Sequence, residues 1–452
     1  MRDSYRFVAA FLSAALLSAC GAANMGVAAP QSVSAGSASH RLELLPGRQP
    51  LTGSGYKNLY RFTGGADGGK PVGTILIDVN GALYGSTSSG GANGFGTIFK
   101  ITTAGKETVL YSFKGGTDGS GPRGGLIDVD GTLYGTTRYG GASGSGCGGT
   151  GCGTVFSAST NGTESVLHSF GIVKNDGLNP YVGLVDVKGT LYGTTLTGGG
   201  SGCGGNGCGT VYKITPSGKE AVIYSFTGGS DGENPNAVLI VVNGALYGTT
   251  DLGGGGGGST CSESSGPVGC GTVFSISTSG KEHILYSFTG ATDGAQPEAG
   301  VTDVNGRLYG TTASCGASGC GSGGFGTVFS VSTSGAFKAL YTFKGSPDDG
   351  AVPYAHLVDV NGVLYGATND GGGSTKCSLS GLTGCGTVFS VSTSGTEHVL
   401  YGFKGGKDGA LPQTGLMDLK GTLYGTTIFG GTGSCAGASG TTGCGTVFHI
   451  SP

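Results

Sequence analysis

The tripeptide Leu-Tyr-Gly occurs seven times, beginning at Leu83, Leu133, Leu191, Leu246, Leu308, Leu364 and Leu423, at intervals of 50 to 62 residues. Each copy is followed by Gly-Thr-(Val/Ile)-(Phe/Tyr), beginning at Gly96, Gly153, Gly209, Gly271, Gly326, Gly386 and Gly445. A third run close to Leu-Tyr-Ser-Phe also recurs seven times, ending at Phe62, Phe113, Phe170, Phe226, Phe288, Phe343 and Phe403. Such self-similarity means that each repeat is one supersecondary unit, stacked on its neighbours to bury a shared core.

One unit predicts the local structure. Residues 301–304 read as a short strand, Asn305-Gly306 as a two-residue turn and 308–312 as a second strand. After a loop, 326–332 make a third strand, Ser334-Gly335 turn the chain, and 337–343 make a fourth. Asn-Gly between β-rich runs is a strong hairpin signal, because both turn residues need positive φ. Four short antiparallel strands, a to d, in a period of this length match a propeller blade. A β-solenoid coil is shorter, leucine-rich and ankyrin repeats carry helices, and an outer-membrane barrel needs about 9–11 residues per strand. The expected fold is therefore all-β: a seven-bladed β-propeller spanning residues 54–452. A lone d-type strand at 56–62 and a last c-type strand at 445–450 imply that the N-terminal strand completes the seventh blade, which closes the ring and removes two exposed edges.

Composition agrees. The 101 glycines follow no collagen triplet, which points to turn-dense β structure, and Trp is absent. A formal charge of −3 and no Lys/Arg cluster make nucleic acid an unsuitable partner.

The first twenty residues read as a targeting segment. Arg2 and Arg6 precede an apolar stretch, 7–17, too short to span a bilayer. Leu17-Ser18-Ala19-Cys20 then resembles a bacterial lipobox, in which Cys20 is lipidated and becomes the mature N-terminus. Gly21 follows, where an Asp would resemble an inner-membrane retention signal, so the expected address is an outer-membrane lipoprotein, facing the periplasm or the surface. Residues 21–53 are rich in Ala, Ser, Gly and Pro and read as a flexible tether spanning roughly 30 Å.

The runs Leu-Tyr-Gly-Thr-Thr, Gly-Gly, Gly-Thr-Val-Phe and Leu-Tyr-Ser-Phe followed by Gly-Gly-x-Asp-Gly, in one fixed order over residues 56–452, resemble the GloVer-type tandem repeat of exported bacterial proteins with a choice of anchor. The resemblance implies an exported repeat protein, here anchored through Cys20, and implies no activity. Kelch repeats are similar more distantly, by the double glycine and the period.

In such blades the a–b and c–d turns lie at one end and the b–c and d–a loops at the other. Here the turns are short and uniform, as in Asn80-Gly81, Asp130-Gly131 and Asn243-Gly244, whereas the loops hold the length variation. Recognition belongs on the loop face. Six b–c loops of 13 to 20 residues each carry two cysteines on that face: Cys147/Cys152, Cys203/Cys208, Cys261/Cys270, Cys315/Cys320, Cys377/Cys385 and Cys435/Cys444. The first b–c loop, 88–95, has eight residues and none. Pairs confined to long loops predict structural disulfides, each worth roughly 2–3 kcal/mol. Zinc sites of the usual kind need four ligands at tighter spacing, so no metal and no cofactor is expected. The d–a loops share Asp-Gly-x-x-Pro, with Asp67, Asp118, Asp176, Asp231, Asp293, Asp349 and Asp408. A single Asp before Gly closes a turn through its side chain, rather than building a calcium loop.

The residue after each of these prolines diverges: Val72, Arg123, Tyr181, Asn236, Glu298, Tyr354 and Gln413. A second divergent position follows Leu-Tyr-Gly-Thr-Thr, as in Arg138-Tyr139, Asp251-Leu252, Asn369-Asp370 and Ile428-Phe429. With strand a innermost, the side chains after the prolines ring the mouth of the central channel and, with Arg138 and Tyr139, form the candidate binding site, with His356 close by. Of the histidines, His168, His283 and His398 fall on outer d strands and read as ordinary satisfied or exposed imidazoles; His40 and His449 complete the set. His356, Glu298 and Arg123 could in principle serve a hydrolase or lyase acting on an extracellular polysaccharide, but no motif fixes that chemistry. The favoured function is a binding module at the cell envelope for a glycan, a cell-wall fragment or a protein partner, with Tyr139, Tyr181 and Tyr354 as stacking platforms. A non-catalytic structural surface protein is the third possibility.

Overall fold

The structure, a computed structural model, describes residues 55–72, 76–142, 147, 149–255, 261–263, 266–267, 269–316, 324–379, 382–437 and 441–452. The targeting segment, Cys20, the tether and Cys320 lie outside the described residues.

Seven four-stranded antiparallel blades follow one another. In blade 1 (77–112) strand a is Ile77–Val79, b Ala82–Thr87, c Thr97–Thr102 and d Glu107–Ser112. Blades 2 to 6 occupy 127–169, 185–225, 240–287, 302–342 and 358–402 in the same order. Blade 7 (417–450) takes its fourth strand from Lys57–Arg61, which pairs antiparallel with Thr446–Ile450, so the ring is closed by the N-terminal strand as expected. Strands a of successive blades lie side by side and line the channel. In blade 5 strand b begins one residue earlier than its pattern indicates, at Arg307, and strand c one later, at Thr327.

Each letter of the repeat has a packing reason. The Leu of Leu-Tyr-Gly is fully buried in every blade. A Cβ on its Gly would stand within 2.8 Å of the ring tip of the strand c aromatic, Phe99 in blade 1 and Phe274 in blade 4. That aromatic meets the d-strand Phe of the preceding blade edge-on: Phe62–Phe99 at 5.2 Å, Phe113–Phe156 at 5.2 Å, Phe288–Phe329 at 5.1 Å, Phe403–Phe448 at 5.2 Å. Edge-to-face pairs of this kind add about 0.5–1.5 kcal/mol beyond their buried area, once at each seam. The last Thr of strand b and the first Thr of strand c share a buried hydroxyl–hydroxyl bond at 2.8–2.9 Å, as in Thr87–Thr97 and Thr368–Thr387, so neither polar group is left unpaired inside the blade.

The seven a–b turns all place two residues at positive φ, from Asn80 (55°) and Gly81 (81°) to Lys420 (55°) and Gly421 (81°). That is the geometry that lets two residues reverse a twisted hairpin. The opposite end is built by long loops that bond to one another across seams: Lys70 N–H donates to the Cys444 carbonyl, and Gln296 N–H to that of Cys270.

Candidate functional site

The prolines of Asp-Gly-x-x-Pro dock each blade on the one before. Pro Cδ lies within 2.8 Å of where a Cβ would stand on the Gly that opens Gly-Thr-Val-Phe in the preceding blade: Pro297 on Gly271, Pro353 on Gly326, Pro71 on Gly445. The first Thr of the Thr-Thr pair then donates to the carbonyl just past, or at, that proline, as Thr136 does to Val182, Thr249 to Ala299 and Thr426 to Pro71. These links bring the residue after each Pro beside the residue after Thr-Thr of the preceding blade. The two divergent positions are thus neighbours across a seam. At four of the seven seams their chemistries match: Arg138 with Tyr181, Asp251 with Glu298, Asn369 with Gln413, and buried Ile428 at the seam that carries buried Val72.

Blades 2 and 3 supply a basic, aromatic sector. Strand b of blade 2 extends to Tyr139, which pairs with Ser120, and this brings Arg138 and Tyr139 beside the loop that carries Arg123. Arg123 Nη1 donates to the Tyr181 hydroxyl. The guanidinium carbons of Arg123 and Arg138 stand 4.7 and 5.0 Å from the Tyr181 ring centre, and Arg138 also lies 4.9 Å from that of Tyr139. Cations over aromatic faces are each worth about 0.5–2 kcal/mol. Burial, and then the charge of Arg138, pull the Arg123 guanidinium down to about 10. The buried Nε of Arg138 has no hydrogen-bond partner. Two like charges held together with a donor to spare favour an anionic group between them.

Across the ring, blades 4 to 6 supply an acidic sector. Burial, and then the carboxylate of Asp251, push the Glu298 carboxyl well above its ordinary range. Tyr354 is raised by burial and by Glu298, Asp251 and Asp370 together. Asp370, 2% exposed, is pushed up to about 6 by burial; its Oδ2 accepts from Asn369 Nδ2 at 2.6 Å while its Oδ1 has no partner. The buried Oδ1 of Asn236 is likewise without a hydrogen bond. Acceptors left over in a buried place are costly, and a ligand that donates hydrogen bonds or carries a cation relieves the cost.

Of the expected ring, Arg123, Arg138, Tyr139 and Tyr181 come together, and Glu298 and Tyr354 come together. Gln413 donates to Asn369 Oδ1 at 2.8 Å and buttresses Asp370 through it. His356 stands in the channel wall, where Nε2 meets Thr302 Oγ1 at 3.0 Å; burial pulls it down to about 4, so the ring is neutral. Arg123 engages Tyr181 in blade 3 while His356 engages Thr302 in blade 5, so the trio proposed for hydrolysis does not converge. Asp251, Asn369 and Asp370 join the candidate site, although the sequence showed them only as divergent residues. The signal that reveals them is the chemical match between divergent positions one blade apart.

The cysteines support this face from beneath. Cys147–Cys152, Cys203–Cys208, Cys261–Cys270, Cys377–Cys385 and Cys435–Cys444 are disulfides with Cα separations of 5.0–5.3 Å, and Cys315 is disulfide-bonded too. Both members of each of these five pairs stand in the b–c loop, and the member next to strand c is buried. Cys152 and Cys208, like Cys270, Cys385 and Cys444, are fully buried and belong to the apolar core between blades. The reason is position: each stands directly before the Gly-Thr that opens strand c, so it points inward with the strand. Cys152 packs with Phe170 and Leu178, and Cys208 with Phe226. Their sulfurs, with Cys444 Sγ, cover a glycine just past the end of strand d of the same blade: Cys152 on Gly171, Cys208 and Cys203 on Gly228, Cys444 on Gly64. In blades 1 and 5 a phenylalanine precedes the Gly-Thr run instead, and the rings of Phe95 and Phe325 lie on Gly115 and Gly345.

The aspartates close their turns as expected. Asp67 accepts from Thr63 N–H at 2.8 Å and from the Tyr60 hydroxyl at 3.0 Å, and Asp118, Asp231, Asp293, Asp349 and Asp408 repeat the pattern.

No helix among the described residues is long and apolar enough to cross a membrane. Comparison with curated proteins returns no match. Among solved structures, a luciferin-regenerating enzyme is similar over 88% of this chain and 96% of its own, at 12% identity and a TM-score of 0.41. The PQQ-bound aldose sugar dehydrogenase of Streptomyces coelicolor is similar over 89% and 99%, at 12% identity and a TM-score of 0.38. Likenesses this remote carry no inference about activity. The family model of the Gloeobacter/Verrucomicrobia repeat matches residues 48–262 and 258–439, and the chain belongs to that family.

Proposed function

We propose that this propeller is a binding module of the cell envelope, exported and held by a lipid on Cys20, whose loop face takes a ligand carrying an anion at one end and hydrogen-bond donors or a cation at the other. The observation that carries this reading is the polarity of the channel mouth: the Arg123–Arg138 pair on Tyr181 faces, across the ring, Glu298, Tyr354 and Asp370. A scaffold without a ligand gains nothing from two crowded guanidiniums or from buried acceptors with no partner. Cell-wall stem peptides have the required bipolar chemistry, and Tyr139 at 37% exposure offers a ring to stack on. The disulfides fit an oxidising compartment outside the cytosol.

Thermal-shift titration tests the reading with a cell-wall stem peptide, a neutral oligosaccharide and an acidic oligosaccharide. The expected result is a saturable shift with the stem peptide that vanishes in Arg138→Ala and in Tyr181→Phe, neither of which moves the unliganded midpoint by more than a few degrees. A shift that survives both substitutions, or no shift with any of the three, overturns it. The anchor is tested separately by metabolic labelling with an alkyne fatty acid, which labels the parent and not Cys20→Ala.

A further inference from the structure

One seam departs from the other six. At the outer edge of every other seam a tyrosine of strand d donates to the aspartate of its own d–a loop: Tyr60–Asp67 at 3.0 Å, Tyr111–Asp118 at 2.7 Å, Tyr224–Asp231 at 3.0 Å, Tyr286–Asp293 at 3.0 Å, Tyr341–Asp349 at 2.7 Å and Tyr401–Asp408 at 2.8 Å. At the seam of blades 2 and 3 the run reads Leu167-His168-Ser169-Phe170, and an imidazole stands where the phenol would be. Its Nε2 lies 3.6 Å from Asp176 Oδ2, too far for a hydrogen bond, and has no other partner. The first residue of strand d in blade 3, Glu220, completes the group, and its buried Oε1 also has no partner. The three ligating atoms lie within 4.8 Å of one another.

We propose that His168, Asp176 and Glu220 bind one divalent transition-metal ion of the Zn2+ type, pinning blade 2 to blade 3. Ligand atoms at about 2.1 Å from a tetrahedral ion stand about 3.4 Å apart. The His168–Asp176 separation of 3.6 Å is close to that, and a small rotamer change brings Glu220 in. Two carboxylates and a neutral imidazole carry the charge a dication balances, and among the described residues no lysine or arginine pairs with either carboxylate. One nitrogen and two oxygens, with no thiolate, suit zinc and its neighbours better than calcium, which takes six to eight oxygens.

Supporting contacts orient the ligands. Asp176 accepts from Gly171 N–H and from Gly177 N–H, both at 2.8 Å, which leaves lone pairs on both oxygens. The His168 ring stands edge-on to Phe170 at 4.8 Å. Such contacts fix the ligand geometry before the ion arrives. The His168 side chain, 12% exposed, gives the ion a way in from solvent, and water fills the remaining position.

The test uses the purified chain without a histidine tag, disulfides intact, stripped with chelator and titrated with Zn2+ and with Co2+. The expected result is one equivalent of Zn2+ per chain, a rise in the unfolding midpoint, and a Co2+ absorption spectrum of low-coordinate N/O ligation. His168→Tyr restores the arrangement of the other six seams and so folds; in it Zn2+ affinity falls at least about 100-fold, the upper limit for loss of a mere supporting contact. Glu220→Gln, which preserves shape, lowers affinity as well. Binding of one equivalent that is as tight in His168→Tyr as in the parent overturns the proposal, and so does a parent that binds no more tightly than this variant; the seam is then a His–carboxylate ion pair.

Discussion

The two ends of this propeller are made from the same seven repeats and obey different rules. At the turn end, two residues reverse the chain at every a–b connection, and nothing lies within 4 Å of where a side chain would begin on Gly81, Gly131, Gly244 or Gly306. At the mouth end, glycines lie under the prolines of the next blade and under neighbouring backbone and the disulfides of their own. Glycine is required for its backbone at one end and for its backbone and its missing side chain at the other. The turn end is therefore constrained by its backbone alone, whereas the mouth end sets packed glycines and prolines around b–c loops of varied length and the two divergent positions that face each other across a seam. That is where its chemistry is found.

The largest expected effect breaks this contrast at one blade. In Gly271→Ala the new Cβ meets Pro297 Cδ at 2.5 Å with φ at +97°, so positive-φ strain and overpacking combine to cost about 3 kcal/mol or more. In Gly244→Ala φ is +81° and the space is open, so strain alone remains, about 1 kcal/mol. Denaturant midpoints of the two variants measure the difference. Equal losses would mean that the mouth loops yield, and the idea of a rigid frame for the divergent positions would fall.

The second test sharpens the comparison within the mouth end, between stapled and plugged loops. Cys377 and Cys385 close a short ring, and the double Ser variant loses about 2–3 kcal/mol in the chain-entropy model. Its counterpart in blade 1, Phe95, is 42% exposed and covers Gly115 by contact alone. Phe95→Ala is expected to cost less, about 1–2 kcal/mol for a half-buried ring. Reductant then lowers the parent's thermal midpoint and leaves the Phe95→Ala decrement unchanged.

The frame was legible in the sequence because every framing residue recurs. Leu83 or Gly85 alone means little, but seven copies at one spacing define the blade, the seam and the splice of Lys57–Arg61 onto Thr446–Ile450. The cysteine pairs were legible because each pair closes within one loop, but the burial of Cys152 and Cys208 was not, since it depends on the blade packed against them. The site was legible only by halves. Arg123 and Tyr181 stand out as divergent residues, but the match of Asp251 with Glu298, or of Asn369 with Gln413, joins position pairs 47 and 44 residues apart in different blades, and depends on which neighbour each loop leans against. His168 looked like an ordinary imidazole for the same reason: Glu220 reaches it only across a seam.

The smallest effect concerns the charge stored at those seams. Burial, and then the aspartate of the preceding blade, push Glu107, Glu164 and Glu282 up to about 7. A carboxyl whose folded pKa exceeds its unfolded value holds more protons in the folded chain between about 4.5 and 7, so it costs stability progressively as pH rises through that window. These side chains are only half buried, and solvent screening keeps each contribution small. Glutamine at the three positions keeps the shape and removes the titration. The triple Glu→Gln variant is therefore expected to unfold at a higher temperature than the parent at pH 7.5, with the gap closing toward pH 5. A gap that is constant with pH would show that the carboxyls are not perturbed by their neighbours, and that the outer edges of the seams are as indifferent to charge as the turns.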